Sequence, residues 1–162
     1  MGSLLFSFKG RINASQLLRG FIVVIIISFI LGMIPYFSID LWWLSSFGIV
    51  LIWPWLALFA KRYHDAGKSG WLALLPLVVS FAINFGVGQV LSKMIPIDTS
   101  ASEEMAASGD VGGAMTAAIE ASMPHIIPGA IAGVVITLAI VFLFNAMIKS
   151  DPEENQFGAP TN

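Results

Sequence analysis

Four long apolar stretches alternate with shorter polar segments along the chain. They contain no Asp, Glu, Lys or Arg, and they cover about residues 20–39, 41–60, 69–92 and 125–148. The hydrocarbon core of a bilayer is roughly 30 Å thick, so a helix of about 20 apolar residues crosses it. The pattern therefore predicts an all-α integral membrane protein: one domain, residues 1–162, built as a bundle of four transmembrane helices.

Local signals mark where the first two spans begin, end and bend. Asn13 and Gln16 have the spacing of a capping box, which starts the first helix before the membrane. We expect Pro35 to end this helix, and the short turn after it makes the first two spans an antiparallel hairpin. In the second span Pro54 predicts a kink, with Trp53 and Trp55 on either side of it.

Two polar segments lie outside the predicted spans. In residues 93–124, rich in Ala, Ser, Gly and Met, Ser100 and Glu103 have capping-box spacing and predict a short helix that stops near Gly109. Apolar residues at helical spacing after Gly109 predict a second, weakly amphipathic helix. The tail, residues 149–162, is polar and contains two prolines, so we expect it to be mobile.

Composition strengthens the membrane assignment and excludes several classes of site. Of the 162 residues, 57% are hydrophobic and 11% are charged, and the mean hydropathy is +0.85. A soluble domain of this size cannot bury so much apolar surface. The chain has no cysteine, which excludes disulfides, thiolate metal sites and cysteine nucleophiles. Its net charge of −2 provides no basic stripe for nucleic acid.

The distribution of Lys and Arg predicts the orientation of the bundle. Seven of the eight flank the spans on one side, and Lys93 is the exception. The positive-inside rule places the more basic side in the cytoplasm. Both termini and the connection 61–68 are then cytoplasmic, and residues 93–124 form the outer loop.

The densest group of functional side chains is the segment K-R-Y-H-D-A-G-K-S-G-W at residues 61–71. In one interpretation it binds an anion or a lipid head group together with the N-terminal segment, and the candidate residues are Arg11, Arg62, His64, Asp65, Lys68 and Ser69. In the other it is a tight connection whose basic residues fix the topology and whose Asp65 pairs with Lys61 one turn away. If the helix continues, His64 also faces Lys68.

Three segments resemble the signatures of a bacterial inner-membrane family known as domain of unknown function 805. They are F-K-G-R-I at residues 8–12, the segment 61–71, and N-Q-F-G at residues 155–158. The family patterns at these places are similar to F-x-G-R, R-R-x-H-D-x-G-x-S-G-W and N-x-Y-G. The resemblance implies a four-span protein of the bacterial inner membrane with no established activity.

The chain departs from these signatures in three respects. Ser15, Leu17 and Leu18 stand where the family has a basic residue and aromatics, Lys61 and Phe157 replace an Arg and a Tyr, and the long outer loop looks like an insertion.

Several retained residues share the predicted cytoplasmic side with the tail. We therefore expect Arg11, Arg62, His64 and Asp65 to meet the tail in one interfacial cluster. Arg11 and Asp65 are the expected ion pair.

Inside the spans, polar side chains are few and none is acidic or basic. The absence of such groups argues against a proton-coupled carrier. Asn84 and Asn145 are suited to hydrogen bonds between helices. Small residues at four-residue spacing favour close helix packing; they are Gly129 and Gly133 in the fourth span and Ala82 and Gly86 in the third.

We expect no metal, no cofactor and no catalytic residue. Four methionines and one histidine raise the idea of a soft-metal site, but their spacing matches no compact ligand set; they are Met94, Met105, Met115, Met123 and His125. The sequence also lacks the metalloprotease, serine-hydrolase and phosphate-loop motifs.

These observations favour a non-enzymatic inner-membrane protein that acts as an accessory or scaffold protein. Its basic cytoplasmic surface would face anionic lipid or a protein partner, and nucleic acid is not expected. The alternative is a small-solute carrier or channel that acts as an oligomer and moves its solute past the bend at Pro54.

Overall fold

The computed structural model describes residues 2–161, and helices follow one another along this part of the chain as far as Met147. In chain order they are α1 (Gly2–Phe6), α2 (Ala14–Phe37), a 3₁₀ segment (Ile39–Leu51), α3 (Ile52–Asp65), a 3₁₀ turn (Gly70–Ala73), α4 (Leu74–Met94), α5 (Ser100–Ala107) and α6 (Val111–Met147). This part of the chain contains no β-strand.

Four helical stretches within residues 2–161 are long and apolar enough to cross a membrane. They are 14–37, 39–65, 70–94 and 111–147, and only 11–33% of their most apolar windows is buried inside the protein. Apolar side chains that the bundle leaves uncovered need an apolar solvent, which lipid provides. The prediction of an all-α chain with four helices able to span a membrane is confirmed.

The first span begins as predicted but ends later. Asn13 Oδ1 accepts from the Gln16 amide and Gln16 Oε1 accepts from the Asn13 amide, both at 2.9 Å, so the capping box is confirmed. Pro35 lies inside α2, which continues to Phe37. Because proline has no N–H, it leaves the carbonyl of Leu31 without its helical donor. The Ser45 hydroxyl donates to that carbonyl at 2.9 Å, so the helix does not have to end there.

The second span changes helix type just before Pro54. A 3₁₀ segment runs to Leu51 and passes directly into α3 at Ile52. Pro54 therefore occupies the first turn of α3, the part of an α-helix that tolerates proline best.

The connection between α4 and α6 contains one separate short helix. This helix, α5, ends before Gly109, whose φ of +87° suits glycine. The second short helix that we expected is continuous with the fourth span, and α6 has 37 residues from Val111 onward. Asp110 caps it by accepting from the Gly113 amide at 2.9 Å, so the helix starts well before the membrane stretch.

Close helix approach occurs at a glycine that the small-residue patterns did not include. A Cβ added at Gly20 in α2 would overlap the buried Leu58 side chain of α3. A Cβ at Gly133 would lie 4.0 Å from Asn84 Oδ1, and at Gly86 or Gly129 it would meet no other described atom within 4 Å. Ala82 is exposed. The contact of α2 with α3 therefore requires glycine, and Gly70 is a second close approach to α3, where a Cβ would lie 3.1 Å from the Ala60 Cβ.

This contact predicts opposite effects for two glycines of the same helix. Gly20→Ala should destabilise the protein by about 1–3 kcal/mol, because the added methyl overpacks a buried contact. Gly32→Ala should be neutral or slightly stabilising, since a Cβ there meets no other described atom within 4 Å. Thermal unfolding of the two variants in detergent compares them, and equal melting temperatures would contradict the prediction.

Candidate functional site

Both ends of the described chain meet the connection between α3 and α4 at one end of the bundle. The Ile12 amide donates to the Lys61 carbonyl at 3.3 Å, and the Asp151 amide donates to the Asp65 carbonyl at 2.7 Å. We call this the terminal end; it comprises residues 2–13, 61–70 and 148–161. Segments far apart in sequence thus form one surface.

Asp65 is the centre of a buried ionic network at the terminal end. Its Oδ1 lies 3.2 Å from Arg11 Nε and accepts from the Thr161 hydroxyl at 2.6 Å, while its Oδ2 lies 2.7 Å from Arg62 Nη1. Asp65 is 0% exposed and Arg62 is 3% exposed. We call Arg11, Arg62, Asp65, Asn145 and Thr161 the Asp65 cluster. One carboxylate there neutralises part of the charge of two guanidinium groups.

Arg11 connects the start of the chain to the tail. Its Nη1 donates to the carbonyls of Glu153 at 2.8 Å and Gly158 at 3.1 Å, and its Nη2 donates to those of Asp65 at 3.1 Å and Asp151 at 2.6 Å. The planar guanidinium holds several donors in a fixed geometry, which suits a set of carbonyl acceptors from different directions. Arg11 therefore fixes the tail on the bundle.

Arg62 fixes the end of α6 on the bundle. Its Nε donates to Asn145 Oδ1 at 2.8 Å, its Nη1 to the Ser150 hydroxyl at 2.9 Å, and its Nη2 to the Ile148 carbonyl. The last carbonyls of a helix lack internal donors and carry partial negative charge, so a cation stabilises them. Asn145 Nδ2 also donates to the Ala14 carbonyl at 3.3 Å, which joins α6 to the start of α2.

The tail is folded onto the cluster, contrary to our expectation of a mobile segment. Asn155 Nδ2 donates to the His64 carbonyl at 3.2 Å and to Asp151 Oδ2 at 3.3 Å. The Glu153 amide and the Asn155 side chain, both donating to the Asp151 carboxylate, lower the pKa of Asp151. These tail residues were absent from our candidate list, and only Asn155, within the N-Q-F-G segment, had a sequence signal.

Lys61 does not pair with Asp65. The carboxylate oxygens of Asp65 are already occupied by Arg11, Arg62 and Thr161. Lys61 Nζ instead donates to the carbonyls of Ser3, at 2.9 Å, and Leu4, near the end of α1.

The remaining candidates lie beside the cluster and not in it. His64 Nδ1 donates to the Gly10 carbonyl at 3.2 Å, and its ring stacks on Phe157 with centroids 3.8 Å apart. Lys68 is exposed. Ser69 is exposed and its hydroxyl accepts from the Trp71 amide at 3.4 Å, which caps the 3₁₀ turn before α4.

Comparison with protein families identifies the chain. Residues 5–159 match the family described as Protein of unknown function (DUF805). The chain belongs to the DUF805 family. No curated protein and no solved structure matches the sequence.

The three signature segments of this DUF805 protein converge on the Asp65 cluster. The first supplies Arg11, the central segment supplies Arg62 and Asp65, and the last supplies Asn155 and the Gly158 carbonyl. Residues that are distant in sequence form one network, which gives the spacing of the three motifs a physical explanation.

The Asp65 cluster of this DUF805 protein is suited to structure more than to ligand binding. The guanidinium donors of Arg11 and Arg62 are directed at protein acceptors, and within residues 2–161 no buried side-chain nitrogen or oxygen lacks a hydrogen-bond partner. In the same part of the chain, no three His, Cys, Asp or Glu side chains form a group able to hold a metal. His125 Nε2 donates to the Ile95 carbonyl at 2.6 Å.

Proposed function

We propose that this DUF805 protein is a non-enzymatic accessory or scaffold protein of the bacterial inner membrane. Its terminal end would present a basic cytoplasmic surface to anionic lipid or to a protein partner. The observation that carries the proposal is the closed Asp65 cluster, which holds three chain segments in one rigid surface and directs its own charged groups inward.

The surface available to a partner carries exposed cations beside the exposed carboxylates of Glu153 and Glu154. Lys9, Arg19, Lys68 and Lys149 are exposed near this end, whereas Arg11, Lys61 and Arg62 are buried. Of the residues that the sequence predicts to contact a head group, Lys68 and Ser69 are exposed. The concentration of Lys and Arg here also supports a cytoplasmic location, because basic residues are retained on that side.

Substituting the exposed lysines tests the proposal. The full chain is extracted with its surrounding lipid from membranes that contain phosphatidylglycerol, and the lipid is quantified by mass spectrometry. Each cation contributes about 1 kcal/mol at an anionic surface, so a Lys9→Ala, Lys68→Ala, Lys149→Ala variant should lose the anionic enrichment or a co-purified protein partner. Lys93→Ala is the matched control from the opposite end of α4. Wild-type lipid and protein content in the triple variant would overturn the proposal.

The orientation has its own experiment, because the chain contains no cysteine. A single cysteine at Lys68 should resist a membrane-impermeant maleimide in intact spheroplasts and react in inverted vesicles. A cysteine at Ser102, in α5, should show the reverse. Labelling of the Lys68 position from outside the cell would contradict a cytoplasmic terminal end.

A second candidate function is solute transport, which one cavity favours. A cavity of about 200 Å³ lies among α2, α3, α4 and α6, and its lining includes Ser28, Trp55, Asn84 and Thr137. Polar groups at membrane depth are characteristic of solute paths. Trp53, next to Pro54, does not line this cavity; its indole N–H donates to the Phe6 carbonyl at 3.1 Å.

Liposomes containing the purified chain separate the two functions. Solute flux that is lost in Asn84→Ala and retained in Gln89→Ala supports transport. Absence of flux together with lysine-dependent lipid or partner binding supports the accessory role.

A further inference from the structure

A long groove separates α3 from the start of α4 at the terminal end. Its volume is about 500 Å³. Four aromatic side chains line it, one from each of four chain segments: Phe8, Trp53, Trp71 and Phe157. Phe8 and Trp53 meet edge to face with centroids 4.9 Å apart, which fixes one wall. The groove is thus mostly apolar and built from conformationally restricted rings.

One face of α3 gives the groove a polar end and an apolar end. Trp53, Leu56, Ala60 and His64 line it at spacings of three and four residues, which places them on the same side of the helix. From Trp53 to His64 the helix rises roughly 16 Å. Half of a bilayer core of roughly 30 Å is about the same length, so the groove matches the depth of one leaflet.

The polar end carries groups suited to an anionic head group. His64 donates from Nδ1 to the Gly10 carbonyl, so Nε2 of the neutral ring is an acceptor; it lies beside Gly70, where an added Cβ would be 2.7 Å from it. Ser69 lines the groove, and exposed Lys68 precedes it in the chain. The lining contains no carboxylate among the described residues. The cation that a phosphate would meet at this end is therefore Lys68, with the Ser69 hydroxyl beside it.

We propose that the groove binds one anionic glycerophospholipid. An acyl chain lies along Leu56, Trp53 and Leu74, and the phosphate lies near Ser69 and Lys68, whose hydroxyl and ammonium groups are hydrogen-bond donors. The groove is open on the lipid side, where Trp71 is 79% exposed and Trp53 is 54% exposed. Indole rings concentrate at the boundary between head groups and hydrocarbon, as this placement requires. The inference rests on the proposed function, which locates the terminal end at a membrane surface.

A photoactivatable phosphatidylglycerol with a diazirine in its acyl chain tests the site. The full chain is reconstituted with this probe, irradiated, and mapped by peptide mass spectrometry. Crosslinks should concentrate in residues 53–60 and 71–74. Lys68→Ala should reduce the labelling about fivefold, from the loss of one surface cation. Trp71→Ala should reduce it about tenfold, from the loss of a large apolar contact.

Matched variants at the opposite end of the same spans provide the controls. Trp43→Ala and Lys93→Ala remove an exposed tryptophan and an exposed lysine away from the groove and should retain wild-type labelling. The inference would be overturned if all four variants were labelled equally, or if the labelling spread along the lipid-facing sides of α4 and α6. It would also be overturned if a second copy of the chain or a co-purified peptide covered the groove.

A further variant separates this inference from the proposed function. Lys9→Ala with Lys149→Ala leaves the groove lining intact. If that variant loses surface enrichment of anionic lipid and keeps its groove crosslinks, the groove is an independent lipid site. If Trp71→Ala keeps its crosslinks, the inference about the groove is wrong. If the double lysine variant also keeps its enrichment of anionic lipid, the proposed function is not affected by that failure.

Discussion

Asp65→Asn is expected to lower the free energy of unfolding by about 3–5 kcal/mol, the usual cost of removing one partner from a buried ion pair. Asp65 is fully buried and accepts hydrogen bonds from Arg11, Arg62 and Thr161. Asparagine removes the only negative charge of the cluster. Its amide nitrogen also carries hydrogens, so one of the three donors would face another donor. Two guanidinium groups would then remain buried without a counter-charge.

Unfolding of the purified protein in mild detergent, followed by intrinsic tryptophan fluorescence, measures this loss. Asp98→Asn is the matched control, because Asp98 lies at the other end of the bundle and accepts from the Ser100 amide at an exposed position. The control should unfold within about 0.5 kcal/mol of wild type, as is typical of surface substitutions. An Asp65→Asn variant as stable as Asp98→Asn would show that the cluster contributes little to stability.

The four spans were predictable because hydropathy alone determines them. A segment that crosses lipid needs about 20 apolar residues whatever it contacts, so length and composition suffice. The helix boundaries were less predictable, since they depend on partners. Whether α2 passes Pro35 depends on the Ser45 hydroxyl, which satisfies the freed Leu31 carbonyl. Hydropathy also does not decide whether residues 39–51 form a 3₁₀ or an α-helix, because the same apolar residues suit either helix type.

The cluster was predictable only in part. Its charged members were expected to meet because they share one side of the membrane, and the structure brings Arg11, Arg62 and Asp65 together. In the tail the N-Q-F-G segment at residues 155–158 had a sequence signal, whereas Asp151 and Glu153 had none, because Arg11 binds them through their backbone carbonyls. Every residue type has such a carbonyl, so the sequence does not mark these positions.

Arg11→Lys separates the geometry of the cluster from its charge. The substitution keeps a cation next to Asp65 but replaces a planar fork with a single ammonium that has three donors. Wild-type Arg11 donates to Asp65 Oδ1 and to four backbone carbonyls, three of them in the tail. Lysine cannot reach all of these acceptors. We expect the tail to detach more often while the four spans remain folded.

Hydrogen exchange at the Asp151 amide reports this detachment, because that amide donates to the Asp65 carbonyl at 2.7 Å in the docked tail. Loss of one hydrogen bond from a charged donor costs about 1.5–3 kcal/mol, so losing a single bond should accelerate exchange roughly 10- to 150-fold. Arg19→Lys, an exposed position on α2, should leave the rate unchanged. Faster exchange in Arg11→Lys with normal protection in α3 would assign Arg11 to holding the tail. Unchanged exchange at Asp151 would mean that the positive charge is sufficient and the shape of the guanidinium is not needed.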